Sequence, residues 1–187
     1  MEAKIVARIN LFENPDRFTV GTVGQPGERT FFIQVRENGR LVSLSLEKTQ
    51  VQALAERLIF MVKEIKQMDP TFIFRTLPRD EAPLDTPIEE EFRIGVIGLS
   101  FDSSMQRIQI DMQAVSENAN ESVEFSDEQL LDSDTEIVRA MIDPSEVERF
   151  TKRTGALMSA GRQPCPFCGG PLDPRGHLCP RANGYRR

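Results

Sequence analysis

The sequence predicts an α+β protein. Two strand–strand–strand–helix units form an antiparallel sheet with two packed helices, and a C-terminal zinc knuckle follows. Three observations carry this expectation. Stretches of apolar alternation bounded by turn residues are followed, in each half, by apolar positions at helical spacing. An F-x-[VI]-G-x-[VI]-G pattern occurs at Phe18–Gly24 and again at Phe92–Gly98. All three cysteines and the only histidine fall between Cys165 and Cys179.

In the first half, Ala3–Phe12 reads as a leading strand. Arg17–Val23 is apolar and β-rich, and Gln25-Pro26-Gly27 makes a turn. Thr30–Arg36 is a second strand. Glu37-Asn38-Gly39 then signals a hairpin, because Asn and Gly tolerate the positive φ a two-residue loop demands. In Arg40–Leu46, Val42, Leu44 and Leu46 alternate with Leu41, Ser43 and Ser45. The period then changes from two to 3.6. Val51, Leu54, Leu58, Met61, Val62 and Ile65 share one helical face. Met68–Glu91 carries Pro70, Pro78, Pro83 and Pro87, which marks a surface connector.

The second half repeats the plan. Phe92–Phe101 and Gln106–Val115 are strands joined through Asp102-Ser-Ser, and Glu136–Ile142 is the third. Asp143-Pro144-Ser-Glu146 opens a helix with an acid at the N-cap, proline at the first helical position and glutamate at the third. That helix runs to about Ala160, with Gly155 as a weak point. The register pairs Val42 with Val138, Val51 with Val147, Leu54 with Phe150 and Arg57 with Arg153. The duplicated body spans 1–160, with halves at about 17–66 and 92–160, and the zinc module spans 161–187. The acidic stretch 117–134 is an insertion in the second half. A pseudo-two-fold arrangement of the halves would leave a cleft between them.

The metal motif is C-x₂-C-x₈-H-x-C, with Cys165, Cys168, His177 and Cys179 as the ligands. Thiolate and neutral imidazole are the side chains that hold zinc best. Gly169-Gly170 lets the backbone turn behind the metal and aim amides at sulfur. Four protein ligands complete a tetrahedron, so the expected ion is structural Zn²⁺, one per chain, rather than a hydrolytic zinc that keeps a position for water. With so little apolar sequence, the module would draw most of its folding free energy from the metal. An odd number of cysteines fits a reducing compartment better than a disulfide framework.

The chain has 187 residues and a net charge of −6, unevenly distributed. Residues 151–187 hold seven Lys or Arg and one acid, whereas residues 1–150 hold sixteen bases and twenty-eight acids. The basic tail would therefore either dock on its own acidic body or meet an anionic partner. No apolar run approaches the ~18 residues of a membrane helix, and the N-terminal residues lack a secretory core. The expectation is a cytoplasmic protein with no membrane partner.

Other motifs have simpler readings. Gly21, Gly24 and Gly27 lack the Lys-Ser/Thr ending of a phosphate loop. Arg29 suits an exposed strand edge. The acidic run 117–134 lacks the order of a calcium loop and reads as solvated chain. Arg181, Tyr185, Arg186 and Arg187 combine cations with an aromatic, as nucleic-acid tails do.

Phe18…Gly21-Thr-Val-Gly24-Gln-Pro-Gly27-x-Arg29-x-Phe31-Phe32 and Cys165-Pro-x-Cys168-Gly…Gly176-His177-x-Cys179-Pro-Arg181-x-Asn183-Gly184-Tyr185 resemble a family of uncharacterised bacterial proteins common in actinobacteria. The resemblance implies genes lying beside those of a histidine-phosphatase-like and a phosphoinositide-kinase-like protein. It implies no activity. The family's four metal-ligand positions are all present; the long acidic insertion departs from its pattern.

With the histidine and all thiols assigned to metal, no nucleophile–base motif remains, and catalytic residues are expected to be none. The leading functional expectation is a non-enzymatic binding or adaptor protein with a protein partner. Nucleic-acid binding through the basic module is a second reading. A third is an enzyme or ligand-binding protein acting on a phosphorylated compound in the inter-repeat cleft.

Overall fold

The computed structural model describes residues 8–25, 27–115, 135–160, 165–170, 172, 179 and 181. Its elements in chain order are β1 (Ile9–Phe12), β2 (Arg17–Val23), β3 (Thr30–Glu37), β4 (Arg40–Leu46), α1 (Lys48–Met68), β5 (Glu90–Asp102), β6 (Arg107–Ala114), β7 (Ile137–Ile142) and α2 (Glu146–Ser159). Three strands and a helix thus occur twice, in the expected places. Ala3–Phe12 contributes only Ile9–Phe12, its first residues lying outside those described.

The α+β class holds, but the sheet is mixed rather than antiparallel. Its order is β1-β7-β6-β5-β4-β3-β2. β2–β3, β3–β4, β5–β6 and β6–β7 are antiparallel. β4 pairs with β5, and β1 with β7, in parallel. The reason lies in the connection. A tight turn forces the next strand to reverse, whereas α1 and the long connector carry the chain back to the end from which β4 started, as parallel neighbours require. The units β2–β4 and β5–β7 therefore lie side by side in the same sense, not about a two-fold axis.

The sheet is curled. Six inter-strand steps of ~4.8 Å would hold β1 and β2 about 29 Å apart if it were flat. The short link between Phe12 and Arg17 reaches about 18 Å at most. The edges must therefore bend toward one another. Contacts between β1 and the β3–β4 hairpin follow: Arg40 Nη1 donates to Asn10 Oδ1 at 3.0 Å, and the Arg40 guanidinium stacks 4.0 Å from the centre of the Phe12 ring.

One face of the sheet builds the core. Val20, Ile33, Leu44, Ile108, Ile110 and Ala140 meet Val51 and Leu58 of α1 and Phe150 of α2. Burying a side chain such as Leu58 fully contributes about 1.5–3 kcal/mol. Phe18 and Phe150 lie with ring centroids 5.1 Å apart, fastening α2 to β2. α1 begins where the Glu47 amide donates to Gln50 Oε1 at 2.8 Å, and Asp69 followed by Pro70 ends it. The Asn38-Gly39 hairpin is as expected, with φ of 50° and 81°.

α2 starts later than the sequence suggests. Asp143 was the expected N-cap, yet Pro144 and Ser145 form a turn and the helix begins at Glu146. The Asp143 carboxylate still accepts the Ser145 amide at 2.8 Å, two residues on, as an N-cap acid does, and Ser145 is itself helical with φ of −65° and ψ of −24°.

Candidate metal centre and the buried ion-pair cluster

Cys165–Cys168 forms a tight loop just after α2. The Cys165 amide donates to Gly170 O at 2.7 Å, and the Gly169 amide to Cys165 O at 2.8 Å. Gly169 has φ of +74°, a conformation that glycine adopts without a Cβ penalty. This is the turn expected from Gly169-Gly170. Arg181 Nη1 donates to Phe167 O at 3.2 Å and ties the segment after Cys179 to the loop.

The loop brings Cys165, Cys168 and Cys179 together, with all three sulfur atoms within 4.8 Å of one another. Cys165 and Cys179 are buried, and their sulfurs are 3.7 Å apart. Zn–S bonds of about 2.3 Å at tetrahedral angles place sulfurs about 3.8 Å apart, so this pair already has the spacing of two ligands on one ion. His177, the fourth expected ligand, lies outside the described residues. The three thiols can hold a metal ion; their geometry alone does not select which.

The amides of Cys168 and Phe167 point at the Cys165 sulfur and pull its pKa down to about 6. Cys165 is therefore largely thiolate at neutral pH. At Cys168 the Gly170 amide acts in the same direction. Desolvation, the neighbouring thiols and the Cys165 charge outweigh it and raise that pKa. A cation among the three sulfurs would reverse the raising effect, since it favours every thiolate.

A second polar centre was not foreseen. Arg17, on the sheet face opposite the core, is 7% exposed. Its Nε and Nη2 grip the two Asp80 oxygens at 2.9 Å each, and Nη1 reaches Asp85 at 3.1 Å. Nη2 also donates to the carbonyls of Ala82 and Pro83 at 2.9 Å. Arg36 binds Asp85, and Gln34 exchanges two hydrogen bonds with the Asp85 backbone. Arg153 of α2 donates to Val20 O and Asp80 O. The connector is thereby strapped across β2 and β3. Burial alone would raise the Asp80 carboxyl; the hydrogen bonds and charges of Arg17, with Arg153, outweigh it and hold the pKa below its ordinary value. The role of Gly21 also becomes clear: a Cβ there would sit 2.5 Å from Leu84 Cγ, so any larger residue would push Leu84 off the sheet.

Among the remaining motifs, Arg29 is half-buried in the loop just before β3 rather than on an exposed strand edge. Gly24 and Gly27 both have φ of +102° between β2 and β3, and a strand rather than a helix follows. The acidic run 117–134 and Tyr185, Arg186 and Arg187 lie outside the described residues. No helix among the described residues is long and apolar enough to cross a membrane.

Fold and site together define a mixed α+β protein of seven strands and two helices with a thiol cluster near its C-terminus. A family model described as "Protein of unknown function (DUF3090)" matches residues 10–179, and the chain belongs to that family. No curated protein and no solved structure matches it.

Proposed function

We propose that this is a zinc-binding, non-enzymatic binding or adaptor protein, in which one structural Zn²⁺ held by Cys165, Cys168, His177 and Cys179 organises residues 161–187. The convergence of three thiols carries the reading, one pair already at the spacing of a tetrahedral edge. A reducing, cytoplasmic setting goes with it, because the thiols must stay reduced to bind metal. Protein partnership draws support from apolar side chains left exposed along and just after α1: Phe60 is 49% exposed, Met68 68% and Ile73, beyond the helix, 82%.

The test is elemental analysis of protein purified without added metal. About one zinc per chain is expected, lost in Cys168→Ser with the body still folded. Freshly reduced protein with no zinc, and with no uptake on adding it, would sink the proposal.

A further inference from the structure

An open cavity of about 510 Å³ lies between α2 and the connector residues Arg79–Glu81. That volume is within the range of small-molecule sites. α2 lines it with Arg149, Lys152, Arg153, Ala156, Leu157 and Ala160. These positions recur at intervals of three and four, a stripe beside the one carrying Val147, Phe150 and Thr154 to the core. The stripe has two parts. Toward the C-terminus of the helix, Ala156, Leu157 and Ala160 offer apolar surface, the alanines leaving room. Toward its start, basic side chains gather.

Among the described residues four cations line the cavity, Arg79, Arg149, Lys152 and Arg153, against Asp80 and Glu81. Asp80 is fully engaged, both its oxygens held by Arg17 and one of them also near Arg153 at 3.4 Å. Arg153 is engaged in turn by Asp80 and the Val20 carbonyl. What remains to meet a ligand is mostly positive. Arg79 is exposed and has no hydrogen bond or ion pair among the described residues. Arg149 pairs through Nη2 with Glu146, while its Nε is buried with no acceptor among the described residues. Lys152 pairs with Glu148 on the exposed surface, where ion pairs are weak and easily exchanged. Across residues 1–160 acids outnumber bases twenty-eight to eighteen, so this concentration of cations runs against the charge of the body.

We propose that the cavity binds a small organic anion: a carboxylate or phosphate head joined to an apolar group. The head sits on Arg79 and Arg149, where guanidinium groups can give paired hydrogen bonds. The apolar group lies on Ala156, Leu157 and Ala160. No thiol takes part, so the site stands whether or not zinc is bound at Cys165, Cys168 and Cys179.

Phenyl phosphate and phenylacetate are the probes, titrated into the full-length protein and followed by the amide NMR signals of α2. Benzyl alcohol and inorganic phosphate supply the apolar part and the charge separately. Saturable shifts are expected at Ala156–Ala160 with at least one phenyl anion, and the tighter of the two identifies the preferred head group. Arg79→Gln should weaken that binding about tenfold, in line with losing one charge-assisted contact. Ala156→Leu fills the cavity from an exposed helical position and should abolish binding with the fold kept, as the unchanged remainder of the spectrum would show. The proposal is overturned if neither phenyl anion saturates by about 10 mM, weaker than which binding is barely specific. It is equally overturned if binding survives both substitutions unchanged, or if either control binds as tightly as the anions.

Discussion

The body and the thiol cluster are held together by different physics. In the body, Leu44, Leu58 and Ile110 are wholly buried, and many such side chains share one core. In the loop after α2, Cys165 and Cys179 are buried but the adjacent Phe167 is 64% exposed. Apolar area stabilises the first; the second has almost none to offer, and its thiols converge on one point instead. The body should therefore fold without metal, and the C-terminal segment should depend on it. Its buried ion-pair cluster gives the body a further, less forgiving constraint.

The largest loss is expected from Arg17→Ala. It leaves Asp80 buried without its main partner, though Asp85 keeps Arg36, and loosens the connector, at a cost of about 3–5 kcal/mol in urea unfolding. A loss under about 1 kcal/mol would mean that the cluster is solvated. Leu58→Ala opens a cavity between α1 and the sheet and should cost about 2–5 kcal/mol, measured the same way. Gly21→Ala should cost about 1–3 kcal/mol, because Leu84 must move off the sheet.

Acid should act on the body through the same cluster. The folded Asp80 pKa is depressed: desolvation opposes this, but Arg17 prevails. Asp143 is depressed too, with the Ser145 amide and side chain and Arg75 overcoming its desolvation. A depressed carboxylate stabilises the fold above its unfolded pKa, about 3.9, and that contribution is lost as pH falls through the lower folded value. Urea stability should therefore hold from neutrality to about pH 4 and decline below it. Replacing Asp80 with Asn should flatten the decline. The smallest effect belongs to Cys168→Ser, which should alter the body's unfolding by no more than about 0.5 kcal/mol. A larger change would show that the thiol segment is part of the body's cooperative unit.

Local features were legible in the sequence, and long-range ones were not. Arg17–Val23 and Arg40–Leu46 are strands to the residue, because alternation and the Asn38-Gly39 loop are encoded within a few positions. The thiols were legible because residue type and spacing state the chemistry directly. The β4–β5 pairing was hidden, since a proline-rich connector does not reveal to which end of the sheet it returns. The start of α2 was legible to within two residues: Asp143 accepts the amide two positions on, as a capping acid does, and only the first turn is tighter than a regular helix. The Arg17–Asp80 pair joins residues 63 apart, and nothing local marks an arginine in an apolar strand as a partner for a loop aspartate.

The most direct test is zinc stoichiometry combined with proton release on metal addition. Apo protein prepared under reducing conditions should take up about one Zn²⁺ per chain. Near pH 7 uptake should be accompanied by proton release, because each thiol gives up its proton on becoming a ligand. Absence of zinc uptake by reduced protein would contradict the account outright.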